Sequence, residues 1–118
     1  MNDSKRGIIK RIKSMLSDKE ISCKELTEKY LSEIKKSNLN AYVTVCEDEA
    51  LKAAEKTDKK ISSGEELDFL EGVPMALKDI ISTNGIETTC CSKILAGYKP
   101  IFNATVWEKL QQKGAVLL

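Results

Sequence analysis

The order of helical and extended segments in this 118-residue sequence predicts an α/β fold, with helices layered on a mixed β-sheet. Apolar residues recur at helical spacing in four segments, and short apolar or β-branched segments stand between and after them. The resulting order is helix, helix, strand, helix, strand, helix, strand. The last strand, residues 115–118, has no turn or polar tail after it. We therefore expect residues 1–118 to form the N-terminal portion of a single larger domain, truncated before its end.

The first two helices are predicted from one-sided apolar patterns. Residues 4–16 place isoleucines on one face and lysines on the other, which indicates an amphipathic helix with a basic outer face. That helix either packs on its own domain or docks a partner. Ser22 and Glu25 have the spacing of a capping box, which predicts a helix that starts after Ser22 and ends at Ser37.

The middle of the chain combines a strand and a third helix. Residues 41–46 are rich in β-favouring side chains and are predicted to form a strand. Residues 48–62 return to helical spacing, and Gly64 follows where a left-handed glycine commonly ends a helix.

The fourth helix is predicted over residues 104–113. Asn103 precedes it as a candidate N-cap, and Val106, Trp107 and Leu110 form its apolar side. We expect all three apolar side chains to be buried.

Composition excludes several classes of function. Charged residues make up 31% of the chain, but the net charge is only +1. The overall charge therefore does not indicate binding to nucleic acid or to a membrane. No apolar run approaches the roughly 18 residues of a membrane span, and no signal-peptide centre is present, so we expect a cytoplasmic protein. The sequence contains no histidine, which excludes a Ser-His-Asp or Cys-His group and a histidine metal site within these residues.

The four cysteines lack the C-x-x-C spacing of a metal or redox motif. We expect Cys23, Cys46, Cys90 and Cys91 to be small buried apolar residues of a protein in a reducing compartment. A strained disulfide between Cys90 and Cys91 is the alternative.

Lys78 is the candidate catalytic residue that the pattern singles out. In an extended chain Val73, Met75, Leu77 and Asp79 share one face, and Lys78 lies on the other face with small and apolar residues. One interpretation is a strand-end lysine whose ammonium reaches water. The other is a desolvated base: an ordinary lysine loses its proton near pH ~10.4, and burial can lower that pKa by about 3.

Residues 87–92 supply hydroxyls and thiols from Thr88, Thr89, Cys90, Cys91 and Ser92. This segment either lines a site next to Lys78 or forms a plain surface turn.

The sequence Gly-Val-Pro-Met-Ala-Leu-Lys-Asp of residues 72–79 resembles the lysine motif of the amidase signature family. The sequence Thr-Thr-Cys-Cys-Ser-Lys-Ile-Leu of residues 88–95 narrows the resemblance to the A subunits of the glutamyl-tRNA(Gln)/aspartyl-tRNA(Asn) amidotransferases. The similarity continues in residues 21–27, 39–44 and 103–106. It implies the N-terminal part of the amidase signature fold, incomplete in this chain.

The resemblance implies a Ser–Ser–Lys triad in which Lys78 is the general base. In the family, the lysine takes a proton through a bridging serine, and a second serine attacks the side-chain amide of glutamine. Both serines are absent from this chain, and Ser92 matches neither of them. We therefore expect the chain to be inactive alone.

The family also implies partners. Ammonia from glutamine passes to a partner subunit, where the carboxylate of a misacylated tRNA is activated by ATP with Mg²⁺. The expected assembly is a heterotrimer with subunits B and C, which contacts tRNA only through the partner and no membrane. No cofactor and no metal site is expected in this chain itself.

Two alternatives stay open. The first is a non-catalytic remnant or partner-binding module, and the second is a fragment of another amidase that acts on small amides.

Overall fold

The computed structural model describes residues 7–118, and four α-helices account for most of its regular structure. They are α1 (Ile8–Ser17), α2 (Cys23–Lys36), α3 (Glu47–Ser62) and α4 (Thr105–Gln112). A short 3₁₀ turn, Lys93–Leu95, lies before α4. The predicted start of the first helix, at residues 4–6, lies outside the described residues.

The ends of α2 and α3 confirm the predictions made from local sequence. Ser22 Oγ accepts a hydrogen bond from the Glu25 N–H at 3.0 Å, and the Ser22 N–H donates to Glu25 Oε2 at 2.9 Å, which is the reciprocal capping box. Ser37 follows the last residue of α2. Gly64 has φ +76°, the left-handed conformation expected just after α3.

The sheet consists of two short parallel strands, β1 (Pro74–Met75) and β2 (Val116–Leu117). Pro74 lies opposite Val116, and the Val116 N–H donates to the Val73 carbonyl at 2.9 Å. The Leu118 N–H donates to the Met75 carbonyl, also at 2.9 Å. Helices and a small parallel sheet together confirm the predicted α/β class.

The sheet separates two apolar cores. Val116 belongs to the first core, which packs against α1, α2 and α3. Leu117, the next residue, packs with Trp107 of α4 and Cys46 in the second core. This division follows from strand geometry, since successive side chains point to opposite faces of a sheet.

Two glycines allow the strands to begin side by side. The Gly72 N–H donates to the Gly114 carbonyl at 2.9 Å, and both residues have positive φ, +77° and +76°. A Cβ on Gly72 would lie 2.9 Å from Leu16 Cδ1, and one on Gly114 would lie 2.6 Å from Glu71 Cγ. Both positions therefore need glycine for its conformation and for its small size.

The predicted strand over residues 41–46 is wrong. Burial alternates along the segment, with Tyr42 and Thr44 half-buried and Cys46 buried, while Ala41, Val43 and Val45 are exposed. The chain bends at Val43, however, and within residues 7–118 no chain exchanges backbone hydrogen bonds with residues 41–45. The β-favouring side chains therefore give the burial pattern of a strand without its ladder.

The start and the buried side of α4 also differ from the prediction. Ala104 occupies the N-cap position, and Asn103 Oδ1 accepts a hydrogen bond from the Asn84 N–H at 2.7 Å instead. The hydrogen bond to Asn103 thus connects the turn at residue 84 to the beginning of α4. Trp107 is buried as predicted, but Val106 is exposed because only one side of α4 faces the second core.

No helix within residues 7–118 combines the length and the apolar character needed to cross a membrane.

Candidate active site around Lys78

Lys78 lies in a turn just beyond β1. The Lys78 carbonyl accepts a hydrogen bond from the Ile81 N–H at 3.0 Å, which closes the turn. Burial alternates from Met75 to Ile80, so Lys78 shares a face with Ala76 and Ile80 as predicted. That face is exposed in the described part of the chain, and the burial expected for a desolvated lysine is not found there.

The opposite face differs from the prediction at its first residue. Val73 packs in the first core, whereas Met75 and Leu77 pack in the second. Val73 lies at the boundary between a turn and the strand: its N–H donates to the Leu70 carbonyl, its carbonyl accepts from the Val116 N–H, and the residue pairs of the ladder begin only at Pro74.

Lys78 borders a cavity of about 410 Å³. The cavity is lined by residues at and just beyond the carboxyl ends of both strands, among them Leu77, Asp79 and Leu118, and by residues 41–44. In open α/β sheets, ligands commonly bind in the crevice beyond the carboxyl ends of the strands. The fold therefore places Lys78 where a ligand site is expected.

Asp79 joins the turn of Lys78 to the loop at residues 89–91. Its carboxylate accepts hydrogen bonds from the Thr89 N–H at 2.9 Å, from the Thr89 hydroxyl, and from the Cys91 N–H at 3.3 Å. The Asp79 carbonyl accepts a further bond from the Cys90 N–H at 2.8 Å. Burial raises the pKa of the Asp79 carboxyl, but the bonds from Thr89 and Cys91 outweigh burial and hold that pKa below its usual value.

The polar loop lines the cavity on one side and reaches the surface on the other. Thr88 and Thr89 are buried, and Thr88 and Cys91 line the cavity. Cys90 and Cys91 are exposed, with positive φ of 51° and 55°. The site-lining interpretation of this loop therefore agrees with the structure.

The prediction for the cysteines is right for two and wrong for two. Cys23 and Cys46 are buried, whereas Cys90 and Cys91 are exposed, and all four are free thiols. The exposed pair lies in the loop whose backbone is bonded to Asp79, and the buried positions of that loop are taken by Thr88 and Thr89.

The Cys23 thiol is buried away from the cavity, where it contacts the main chain before β1. Its Sγ lies 3.5 Å from the Gly72 carbonyl oxygen. Burial, reinforced by the negative charge of Asp58, raises the pKa of Cys23 to about 12. Cys23 is therefore a packing residue of the first core.

Asp79 and Thr89 are the site residues that sequence reasoning did not identify. Asp79 was expected only to face away from Lys78, and Thr89 was one of several hydroxyl-bearing residues in a polar loop. The signal was a carboxylate directly after the candidate lysine together with a Thr-Thr-Cys turn rich in donors. The contact itself spans ten residues of sequence, so no local pattern specifies it.

In the described part of the chain, the lining of the cavity includes one amine, that of Lys78, and two thiols, those of Cys46 and Cys91. Its hydroxyls come from Tyr42, Thr44, Thr83 and Thr88. No serine is among its lining residues in the described part of the chain. Residues 7–118 also contain no group of three or more His, Cys, Asp or Glu side chains arranged to hold a metal ion. These residues can supply a base, the Lys78 amine, and the side chains that shape the cavity around it.

The chain around this site is similar in sequence to known proteins. The sequence model of the family described as Amidase matches residues 25–118. The chain is 49% identical, over 93% of its length, to the A subunit of the mitochondrial glutamyl-tRNA(Gln) amidotransferase of Canis lupus familiaris. It is 53% identical, over 81% of its length, to the A subunit of the glutamyl-tRNA(Gln) amidotransferase of Archaeoglobus fulgidus. It spans only 21% and 20% of those two proteins.

Solved structures agree with this result. The native peptide amidase of Stenotrophomonas maltophilia matches 98% of the chain with a TM-score of 0.87 and 27% identity. A bacterial aryl acylamidase of the amidase signature family matches 93% of the chain, also with a TM-score of 0.87 and 27% identity. The chain covers 24% of each of these structures.

Proposed function

Because the chain belongs to the amidase family, we propose that it contributes the lysine base of an amidase, and that this base is Lys78. The observation that carries the proposal is the position of Lys78 on a cavity at the carboxyl ends of two parallel strands. Lysine is also the one type of side chain on that cavity wall that becomes a nitrogen base when it loses its proton.

The proposed reaction is hydrolysis of the glutamine side-chain amide. The neutral Lys78 amine takes the hydroxyl proton of a nucleophilic serine through a bridging serine, and the nucleophilic serine attacks the amide carbon. The proton then passes back to the leaving nitrogen, the C–N bond breaks, and ammonia and an acyl-enzyme form. Water hydrolyses the acyl-enzyme, which releases glutamate and regenerates the serine. We assign both serines to polypeptide outside residues 1–118, since no serine among residues 7–118 lines the cavity.

The proposed destination of the ammonia is transamidation of Glu-tRNA(Gln) or Asp-tRNA(Asn). The relatives that share 49% and 53% identity with this chain are A subunits of glutamyl-tRNA(Gln) amidotransferases, which supports an assembly of several subunits. We propose subunits B and C as partners, with ATP and Mg²⁺ bound by the partner. A cytoplasmic location stays a prediction.

Hydrolysis of other small amides is a second candidate. Its support is the match to a peptide amidase and an aryl acylamidase, each at a TM-score of 0.87. Those structures share 27% identity with the chain, about half the identity of the amidotransferase relatives. The identities favour glutamine as the substrate.

The decisive experiment is a chimera in which residues 25–118 replace the matching segment of the Archaeoglobus fulgidus relative. Ammonia release from glutamine should fall by about 10²–10⁴-fold in the Lys78→Ala chimera, the range typical of a lost general base. Lys29→Ala, which changes an exposed lysine of α2, should leave the rate unchanged. A Lys78→Ala chimera that retains most of the activity would exclude Lys78 as the base.

The same chimera separates the two substrate classes. Release of ammonia from glutamine in preference to peptide amides and anilides favours the first candidate. The opposite preference favours the second.

A further inference from the structure

We infer that Asp79 and Thr89 are positioning residues for Lys78, holding its main chain to the loop at residues 89–91. The inference rests on the proposed role of Lys78 as a base. The hydrogen bonds concerned connect the two sequence motifs, residues 72–79 and 88–95. Lys78 lies in the first motif, and the hydroxyl and N–H groups that hold its main chain in place lie in the second.

The restraint acts through the main chain, one peptide bond from Lys78. Asp79 bonds the loop through both of its acceptor groups, since its carboxylate binds Thr89 and Cys91 and its carbonyl binds the Cys90 N–H. The Lys78 ammonium, by contrast, has no ion pair or hydrogen bond with residues 7–118. Its location on the cavity therefore depends on the backbone that carries it.

The same bonds direct the Asp79 carboxylate to the loop. Its oxygens accept hydrogen bonds from the Thr89 hydroxyl and from the Thr89 and Cys91 N–H groups. Within residues 7–118 Asp79 forms no ion pair with Lys78. The loop therefore engages the side chain next to Lys78 as well as the main chain that carries Lys78.

Among the residues that donate hydrogen bonds to Asp79, Thr89 is the one whose side chain takes part and can therefore be substituted selectively. It is buried, its hydroxyl donates to Asp79, and its Oγ1 accepts the Cys91 N–H at 3.1 Å. Valine keeps nearly the shape of threonine but has no hydroxyl, so Thr89→Val removes both bonds. Thr89→Ser keeps the hydroxyl and serves as the conservative variant.

The experiment uses the 118-residue chain labelled with ¹³C and ¹⁵N. Two signals are followed by NMR: the Lys78 Cε resonance, and hydrogen exchange at the Cys90 and Cys91 amides. Thr89→Val and Asp79→Asn should each move the Lys78 Cε resonance and speed amide exchange at least tenfold. Thr89→Ser should restore both signals to near their original values. Asp68→Asn, which removes an exposed ion pair with Lys113, is the matched control and should move neither.

Three results would overturn the inference. One is an unmoved Lys78 resonance in Thr89→Val, even with a lower melting temperature, because the role would then be structural only. Another is an equal change in Thr89→Ser, and a third is an equal change in Asp68→Asn. If Thr89→Val fails to fold, Asp79→Asn provides the same comparison. None of these results bears on the Lys78→Ala chimera, so failure of the positioning role is distinguishable from failure of the proposed function.

Discussion

Chemical behaviour at the residue scale depends on the environment of each side chain, and the cysteines show this most directly. Four identical groups fall into two classes in this fold: Cys23 and Cys46 are buried, and Cys90 and Cys91 are exposed. The thiolate is the reactive form, so exposure and pKa together determine which thiols react.

We expect iodoacetamide at pH 8 to alkylate Cys90 and Cys91 readily and to leave Cys23 unmodified in the folded chain. Burial and the charge of Asp58 raise the pKa of Cys23 to about 12, so its thiolate stays scarce between pH 7 and about pH 9. Because burial raises the pKa of Cys23 in the folded chain, increasing pH within that window should leave the labelling of Cys23 low. Peptide mass spectrometry gives the extent of labelling at each site.

Unfolding the chain in guanidinium provides the control, since all four cysteines should then react at similar rates. Rapid labelling of Cys23 in the folded chain would contradict its burial.

At the scale of helices and strands, local sequence predicted what depends on neighbouring residues. The capping box of α2 and the glycine after α3 need only a few adjacent residues, and both are found. The segment 41–46 and Asn103 depend on chain far away in sequence. Within residues 7–118 the segment has no neighbouring chain to pair with, and the Asn103 side chain accepts a hydrogen bond from the Asn84 N–H.

The candidate site likewise has features that depend on local sequence and features that depend on chain far away in sequence. Lys78 could be singled out from its motif, and its face was predicted correctly. The choice between an exposed and a buried lysine could not be made from the sequence, because it depends on which elements cover that face. The bond between Asp79 and Thr89 depends on the turn between them closing at the right place, which no spacing rule specifies.

We expect Gly72→Ala to destabilise the chain more than Gly64→Ala. The two glycines share nearly the same φ, +77° and +76°, so both variants carry the backbone strain of a left-handed alanine, about 1–2 kcal/mol. Only Gly72 also faces close neighbours, with Leu16 Cδ1 at 2.9 Å and Thr57 Cγ2 at 3.0 Å from an added Cβ. Overpacking should add about 1–3 kcal/mol in Gly72→Ala.

Chemical denaturation followed by circular dichroism measures both free energies of unfolding. Equal losses in the two variants would mean that strain alone explains the glycine at position 72.

For the whole molecule, the central fact is that the chain spans about a fifth of the amidotransferase A subunits it matches. It carries two apolar cores and one proposed catalytic residue. It also exposes large apolar side chains, including Leu39 at 81%, Ile94 at 93% and Ile101 at 89%.

We expect the 118-residue chain by itself to release no ammonia from glutamine above a Lys78→Ala control. A lysine base without a serine nucleophile has no group to form the acyl intermediate. A coupled glutamate dehydrogenase assay on the purified chain measures the rate. A rate above that of the Lys78→Ala chain would contradict the proposed division of the triad.

The placement of Trp107 gives this chain a built-in optical probe. It is the only tryptophan in the sequence, and it is buried in the second core, on the side of the sheet away from α1, α2 and α3. Its emission therefore reports on one layer of the molecule, while the far-ultraviolet signal comes mainly from the helices of the other. Superimposable melting curves from the two signals would show that the layers unfold as one cooperative unit. A tryptophan transition at a lower temperature than the far-ultraviolet transition would show that the layer beside Lys78 opens on its own, as the less stable half. The reverse order would make it the more stable half.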